Sequence, residues 1–152
     1  MQRLSAEYLS QINFAKPTYN RHSLLPGIVH LGIGAFHRAH QAWYTDAVMN
    51  RLGGNWGIIG CSLRAPAVKH QLQQQDGLYT LIERGKNNSP QIIGSVLEVL
   101  VGPENPQAII DAIALPSVKL VSLTITEKGY CHLPSTGQLN FQHPDIQRDI
   151  AN

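Results

Sequence analysis

From residue 28 to residue 126, short apolar runs alternate with stretches whose apolar positions fall three or four apart, and glycine or proline punctuates the changes of pattern. Residues 28–31 form an apolar run of strand length, followed by Gly32 and Gly34. Phe36, Ala39, Trp43 and Ala47 then share one face of a helix that Gly53 and Gly54 stop. Residues 56–63 are a second apolar run, so the two runs and the helix between them predict a βαβ unit with parallel strands. A short helix follows over 64–77, with Pro66 in its first turn and Gly77 at its end. Residues 78–83 and 91–101 read as strands on either side of a polar turn at 85–90, which predicts a hairpin added at the sheet edge. Asn105 is placed to cap a helix that opens on Pro106, turns Ile109, Ala112, Ile113 and Leu115 inward, and ends at Pro116. Residues 120–126 are the clearest strand, with Val121, Leu123 and Ile125 along one face. Beyond Cys131 the pattern loses contrast.

Alternating strands and helices define an open α/β sheet. Residues 1–26 lack a period and are expected to pack as a leader on residues 27–152, which read as the N-terminal portion of such an α/β domain. Composition narrows the class: 43% of residues are hydrophobic, 14% are charged and the formal charge is +2. A charge that small, with no run of Lys and Arg, argues against a nucleic-acid partner. No apolar stretch reaches the roughly 18–20 residues of a membrane span, and the N-terminus lacks the apolar centre of a signal peptide. The two cysteines, Cys61 and Cys131, have no metal or redox spacing and fit free thiols in a cytoplasmic protein.

In open α/β sheets ligands bind at the C-terminal ends of the strands. Three loops lie there: Gly32, Ile33, Gly34, Ala35, Phe36, His37 and Arg38 after the first strand, Arg64 onward after the second, and Thr126 and Glu127 after the last. A Gly-x-Gly turn between strand and helix suits a dinucleotide pyrophosphate, because glycine admits close approach and the first-turn amides of the helix face the anion. The full fingerprint would carry a third glycine where this chain has His37, and a plain tight turn accounts for two glycines equally well. His37 and His40 sit three apart and could be read as the metal pair of a hydrolase. Without a third ligand and beside Arg38, they fit hydrogen bonding or packing better. His30, inside a strand, reads as a core histidine. Arg64, with no acidic residue near it in sequence before Asp76, suits the 2′-phosphate of NADP, or it simply meets solvent. Glu127 could relay a proton from a ligand-facing loop, or pair with Lys128 at a solvated turn.

The string Gly32-Ile33-Gly34-Ala35-Phe36-His37-Arg38-Ala39-His40 resembles the N-terminal signature of the mannitol dehydrogenase family, the polyol-specific long-chain dehydrogenases that include fructuronate reductase. Trp56-Gly57-Ile58, Asp76-Gly77-Leu78-Tyr79-Thr80 and the stretch from Val121 to Tyr130 agree in order and spacing, as do Thr136-Gly137-Gln138-Leu139 and His143-Pro144-Asp145-Ile146. In that family, too, a histidine replaces the third glycine. The resemblance implies a Rossmann-type parallel sheet with an added antiparallel hairpin, incomplete at the C-terminus. It also implies NAD, with NADP as the alternative, held by the glycine loop with Thr126 near the nicotinamide, and a polyol or sugar-acid substrate. Glu127 becomes a candidate in the proton path. The family's catalytic lysine belongs to a later helical domain, so the 152 residues are expected to be inactive alone, and an unfinished sheet edge is expected to invite self-association. A non-catalytic nucleotide-binding or interaction module is the competing expectation.

Overall fold

A computed structural model describes residues 3–85, 88–125 and 127–152, apart from the side chains of Glu127 and Lys128. The strands are β1 (Pro26–Leu31), β2 (Gly57–Ser62), β3 (Tyr79–Ile82), β4 (Pro90–Ile93), β5 (Val96–Val101) and β6 (Leu120–Leu123). The helices are α1 (Ala35–Ala39), α2 (Gln41–Leu52), α3 (Ala67–Gln73), α4 (Pro106–Ile113) and α5 (Pro144–Ala151). Four strands make one parallel sheet in the order β5-β2-β1-β6, while β3 and β4 pair antiparallel as a separate two-stranded sheet. Val29 is flanked by Ile59 of β2 and Val121 of β6, which fixes the register at the centre. The βαβ unit forms as its pattern predicts.

Side-chain alternation splits the core into two layers. Ile28, Ile58 and Val96 meet Ala42 of α2 and Leu72 of α3 on one face. Val29, Ile59 and Cys61 meet Ile109 and Ala112 of α4 on the other. Asn105 caps α4 by accepting a hydrogen bond from the Ala108 amide, with Pro106 in the first turn, as its sequence predicts.

Three expectations are corrected. The single strand over 91–101 is two strands broken at Gly94 and Ser95. The Gly94 amide donates to Asp46 Oδ1 (2.8 Å) and Ser95 Oγ to the Ala42 carbonyl (2.7 Å), which turns the chain out of the hairpin and makes β5, not the hairpin, the sheet edge. A Cβ at Gly94 would stand 2.6 Å from Pro17 Cγ, so the leader can close over this bend only at glycine. The continuous helix after the glycine loop is α1 and α2, broken at His40 (φ −121°, ψ −85°). The break rotates the helical face, so that Ala42, Asp46 and Met49 are buried while Phe36 and Ala47 are exposed. The last strand stops at Leu123, and Val121, Leu123 and Ile125 remain exposed.

Candidate functional site

β1 delivers the chain to the glycine loop at its C-terminal end. Gly32 has φ +98°, a left-handed conformation that glycine adopts without strain. The amides of Gly32 and Ile33 both donate to the Cys61 carbonyl (2.8 and 3.1 Å), bending the loop over the end of β2. Ile33 turns its side chain into the core against Gly60, where a Cβ would come within 2.2 Å of Ile33 Cδ1. Gly34 is different. An added Cβ there would meet nothing nearer than the Gly32 carbonyl oxygen at 3.9 Å, so this position opens toward space rather than protein. Gly34 also begins α1 without a side-chain cap, leaving the first-turn amides without an intrahelical acceptor.

The loop forms one wall of an open cleft of about 950 Å³, the size of pocket that takes a cofactor. Gly32, Ile33, Gly34 and Arg64 line it, together with Ser62 and Thr124 from the ends of β2 and beyond β6. The far wall comes from the C-terminal segment: Cys131, His143, Asp145, Ile146 and Asp149. Cys131 Sγ lies 3.7 Å from His143 Nδ1, which also accepts the Asp145 amide at the start of α5. Sequence pattern alone gave no reason to place this polar segment at the cleft, since it lacks the period that reveals a buried face.

The predicted site residues separate. Gly32, Ile33, Gly34 and Arg64 meet at the cleft, whereas Ala35, Phe36, His37 and Arg38 are not among its lining residues. His37 is buried with its ring stacked on His30, centroids 3.6 Å apart and 16° between planes. Burial, then His30 and Arg38, push the His37 pKa down to about 3, and burial also lowers that of His30. His40 is instead exposed, stacked on Phe36 and bonded through Nδ1 to the Phe36 carbonyl (2.8 Å), so the two histidines do not form a metal pair. Among the described residues no three His, Cys, Asp or Glu gather as a metal site. The Arg38 carbonyl accepts from Tyr79 Oη (2.6 Å), tying α1 to the hairpin. Thr126 lies outside the described residues, as does the side chain of Glu127, whose backbone opens the 3₁₀ turn Glu127–Tyr130. Burial, then Glu98, push the Cys61 thiol up to about 11, consistent with an inert core residue.

The sequence profile described as the mannitol dehydrogenase Rossmann domain matches residues 26–149. A mannitol 2-dehydrogenase of Pyrenophora tritici-repentis is 40% identical over 98% of this chain and 27% of its own length. YeiQ of Escherichia coli, described as an uncharacterized oxidoreductase, is 47% identical over 88% of this chain and 28% of its own length. The Pseudomonas fluorescens mannitol 2-dehydrogenase, solved as a ternary complex with NAD and D-mannitol, superposes with a TM-score of 0.84 at 40% identity, covering 99% of this chain and 32% of that one. The chain thus spans about a quarter to a third of the length of these relatives. Among the described residues no helix is long and apolar enough to cross a membrane.

Proposed function

The chain belongs to the mannitol dehydrogenase family through the family's Rossmann domain, and from that premise we propose that it is the NAD(P)-binding part of an oxidoreductase acting on a sugar alcohol or sugar acid, of the mannitol/fructose or mannonate/fructuronate type. The observation that carries the reading is the cradle at Gly34: open space above a residue with no Cβ, beside the orphaned amides of α1, at the C-terminal end of β1. With its pyrophosphate held there, a bound dinucleotide would supply, at its nicotinamide, the acceptor for a hydride from a secondary carbinol. The chain's own part would be to bind and orient: Gly32 and Gly34 would admit the pyrophosphate, the α1 amides would donate to it, and Thr126 is assigned to the nicotinamide end by the family resemblance alone. Arg64, on the cleft wall, suits a 2′-phosphate as well as a ribose hydroxyl; NAD is supported by the Pseudomonas complex and NADP by this arginine. Glu127 is the candidate for a proton path. The catalytic lysine and the polyol pocket are assigned, on the family resemblance, to a later helical domain; the relatives' greater length leaves room for one. Two free thiols fit the cytoplasm, and the open β6 edge adds self-association to the proposal.

Titrating the 152-residue chain with NADH and NADPH while following Trp43 and Trp56 fluorescence tests the reading. We expect saturable binding, loss of that binding in Gly34→Val, and no mannitol- or mannonate-dependent reduction of cofactor. Gly34→Val is informative because this backbone (φ −95°) accepts a side chain, so the variant should fold. Undiminished binding by Gly34→Val overturns the cradle, and sustained turnover by the chain alone overturns the division of labour.

A further inference from the structure

Beneath the glycine loop runs a continuous row of hydrogen bonds that ends at the cleft. Gln41 on α2 contacts Ser122 Oγ through both amide atoms, Nε2 at 3.1 Å and Oε1 at 3.2 Å. Ser122 Oγ lies 2.8 Å from His30 Nδ1, and His30 Nε2 lies 2.9 Å from Thr124 Oγ1. Thr124 lines the cleft opposite Gly32. Resting on the cofactor reading above, we propose that Gln41, Ser122 and His30 form a positioning relay that holds the Thr124 hydroxyl as a hydrogen-bond donor to an acceptor oxygen of the bound dinucleotide.

The lengths of the bonds set the direction of the relay. Ser122 has one proton to give. If it went to Gln41 Oε1, the O–H···O contact would be 3.2 Å, outside the usual range of about 2.5–3.0 Å. Given to His30 Nδ1, it makes a bond of 2.8 Å, ordinary for a hydroxyl donor. Gln41 Nε2 then donates to Ser122 Oγ, and His30 carries its proton on Nε2 and donates to Thr124 Oγ1 at 2.9 Å, ordinary for an N–H donor. Thr124 has accepted and has one hydrogen left, with no described protein acceptor for it.

This direction requires a neutral His30, because an imidazolium would donate from both nitrogens and force the Ser122 proton away. The surroundings keep it neutral. From α1, His37 lies flat against the ring, with Arg38 next to it; from α2 comes the uncharged Gln41; from β6 and just beyond, the hydroxyls of Ser122 and Thr124; from β2, Gly60 stands opposite in register. No carboxylate in the set would favour a cation, and the ring is buried, with His37 stacked on it. His30 and His37 are therefore positioning residues, and Thr124 is the group that touches the ligand.

Nitrogen-15 NMR of histidine-labelled chain, without ligand, reads the relay directly. The expected His30 signal is the Nε2–H tautomer, unchanged between neutral and mildly acidic pH. An Nδ1–H tautomer, or titration near the free-histidine value of about 6.5, overturns the proposal. Ser122→Ala should mix the two tautomers without altering the cleft. NADH affinity provides the second readout: Thr124→Val should weaken binding about three- to tenfold, the worth of one neutral hydrogen bond, and Thr124→Ser should restore it. Equal binding by wild type and Thr124→Val removes the relay's role while leaving the cofactor reading intact. Failure of the wild type to bind NADH or NADPH removes both.

Discussion

His37 shows how much one residue's meaning depends on where its neighbours fold. By spacing it pairs with His40; by contact it pairs with His30, seven positions earlier and on a strand. Among the described residues neither of its nitrogens has a hydrogen-bond partner, so its protonation has no compensating bond there. The folded pKa of about 3 lies below the unfolded value of about 6.5. Between these values the unfolded chain binds a proton that the folded chain does not. The His37 contribution is thus fully present above about pH 6.5 and is lost as pH falls toward 3, with a limiting slope of about 1.4 kcal/mol per pH unit. Urea unfolding at intervals from about pH 7 to pH 5 should show this slope in wild type and a flatter one in His37→Phe, which keeps the stacked ring and discards the proton. Parallel profiles would assign the acid sensitivity to other groups. The residue types at the site were legible in the sequence: the two glycines, the arginine at the second strand's end and a core histidine at position 30. The stack and the Ser122–His30–Thr124 row were not, since they join residues some ninety positions apart through a strand pairing that local pattern does not report.

At the scale of elements, sequence pattern succeeds where punctuation is chemical and fails where a turn is imposed from outside. Asn105 and Pro106 announce α4 because cap and first turn are local interactions. The bend at Gly94 hides inside an apolar run because its cause lies on α2, forty-eight positions away. Asp46 Oδ1 accepts from Tyr19 Oη (2.6 Å) and the Gly94 amide (2.8 Å), and its Oδ2 accepts from Asn50 Nδ2 (2.8 Å). One buried carboxylate thus joins the leader, α2 and the bend between β4 and β5. Burial raises its pKa against the opposing pull of those donors, and burial beside Asp46 raises that of Tyr19. Arg21 completes the clasp by donating to the carbonyls of Gly94, Asp76 and Val96. Asp46→Ala orphans several buried donors at about 1–3 kcal/mol each, so a loss of about 3 kcal/mol or more is expected in urea unfolding. Tyr19→Phe, which leaves the Gly94 and Asn50 bonds in place, should cost about 1 kcal/mol. Equal losses from the two variants would deny Asp46 its role as the hub. A pattern built on apolar spacing could not find this hub, because it looks for hydrophobic residues on the buried face and this face carries an aspartate.

For the whole molecule, the decisive contrast is between the two edges of the parallel sheet. β5 lies at one edge, with α3 and α4 packed against the two core layers that β5 shares with β2. β6 lies at the other, with Leu120 45% and Leu123 57% exposed and its outer row of backbone groups unpaired within the sheet. Val121 and Leu123 continue the layer formed by Val29 and Leu31, but they stay exposed where α4 covers Val29. On the opposite face Tyr44 and Val48 stand exposed beside Leu120 around a shallow apolar groove. An open edge flanked by apolar side chains is a template for pairing with another chain. The 152-residue chain is therefore expected to associate with itself as its concentration rises, detected as a rising mass in sedimentation experiments. Leu123→Lys places a charge on that edge at a residue that is not among those lining the cleft, so it should return the chain toward monomer while leaving NADH binding unchanged. A wild-type chain that stays monomeric throughout the concentration series would mean that this edge does not drive association. A Leu123→Lys chain that associates as before would place the contact elsewhere. Loss of cofactor binding in that variant would instead tie the edge to the cleft, a coupling for which the Leu31–Thr124 backbone bond (3.0 Å) is the physical route.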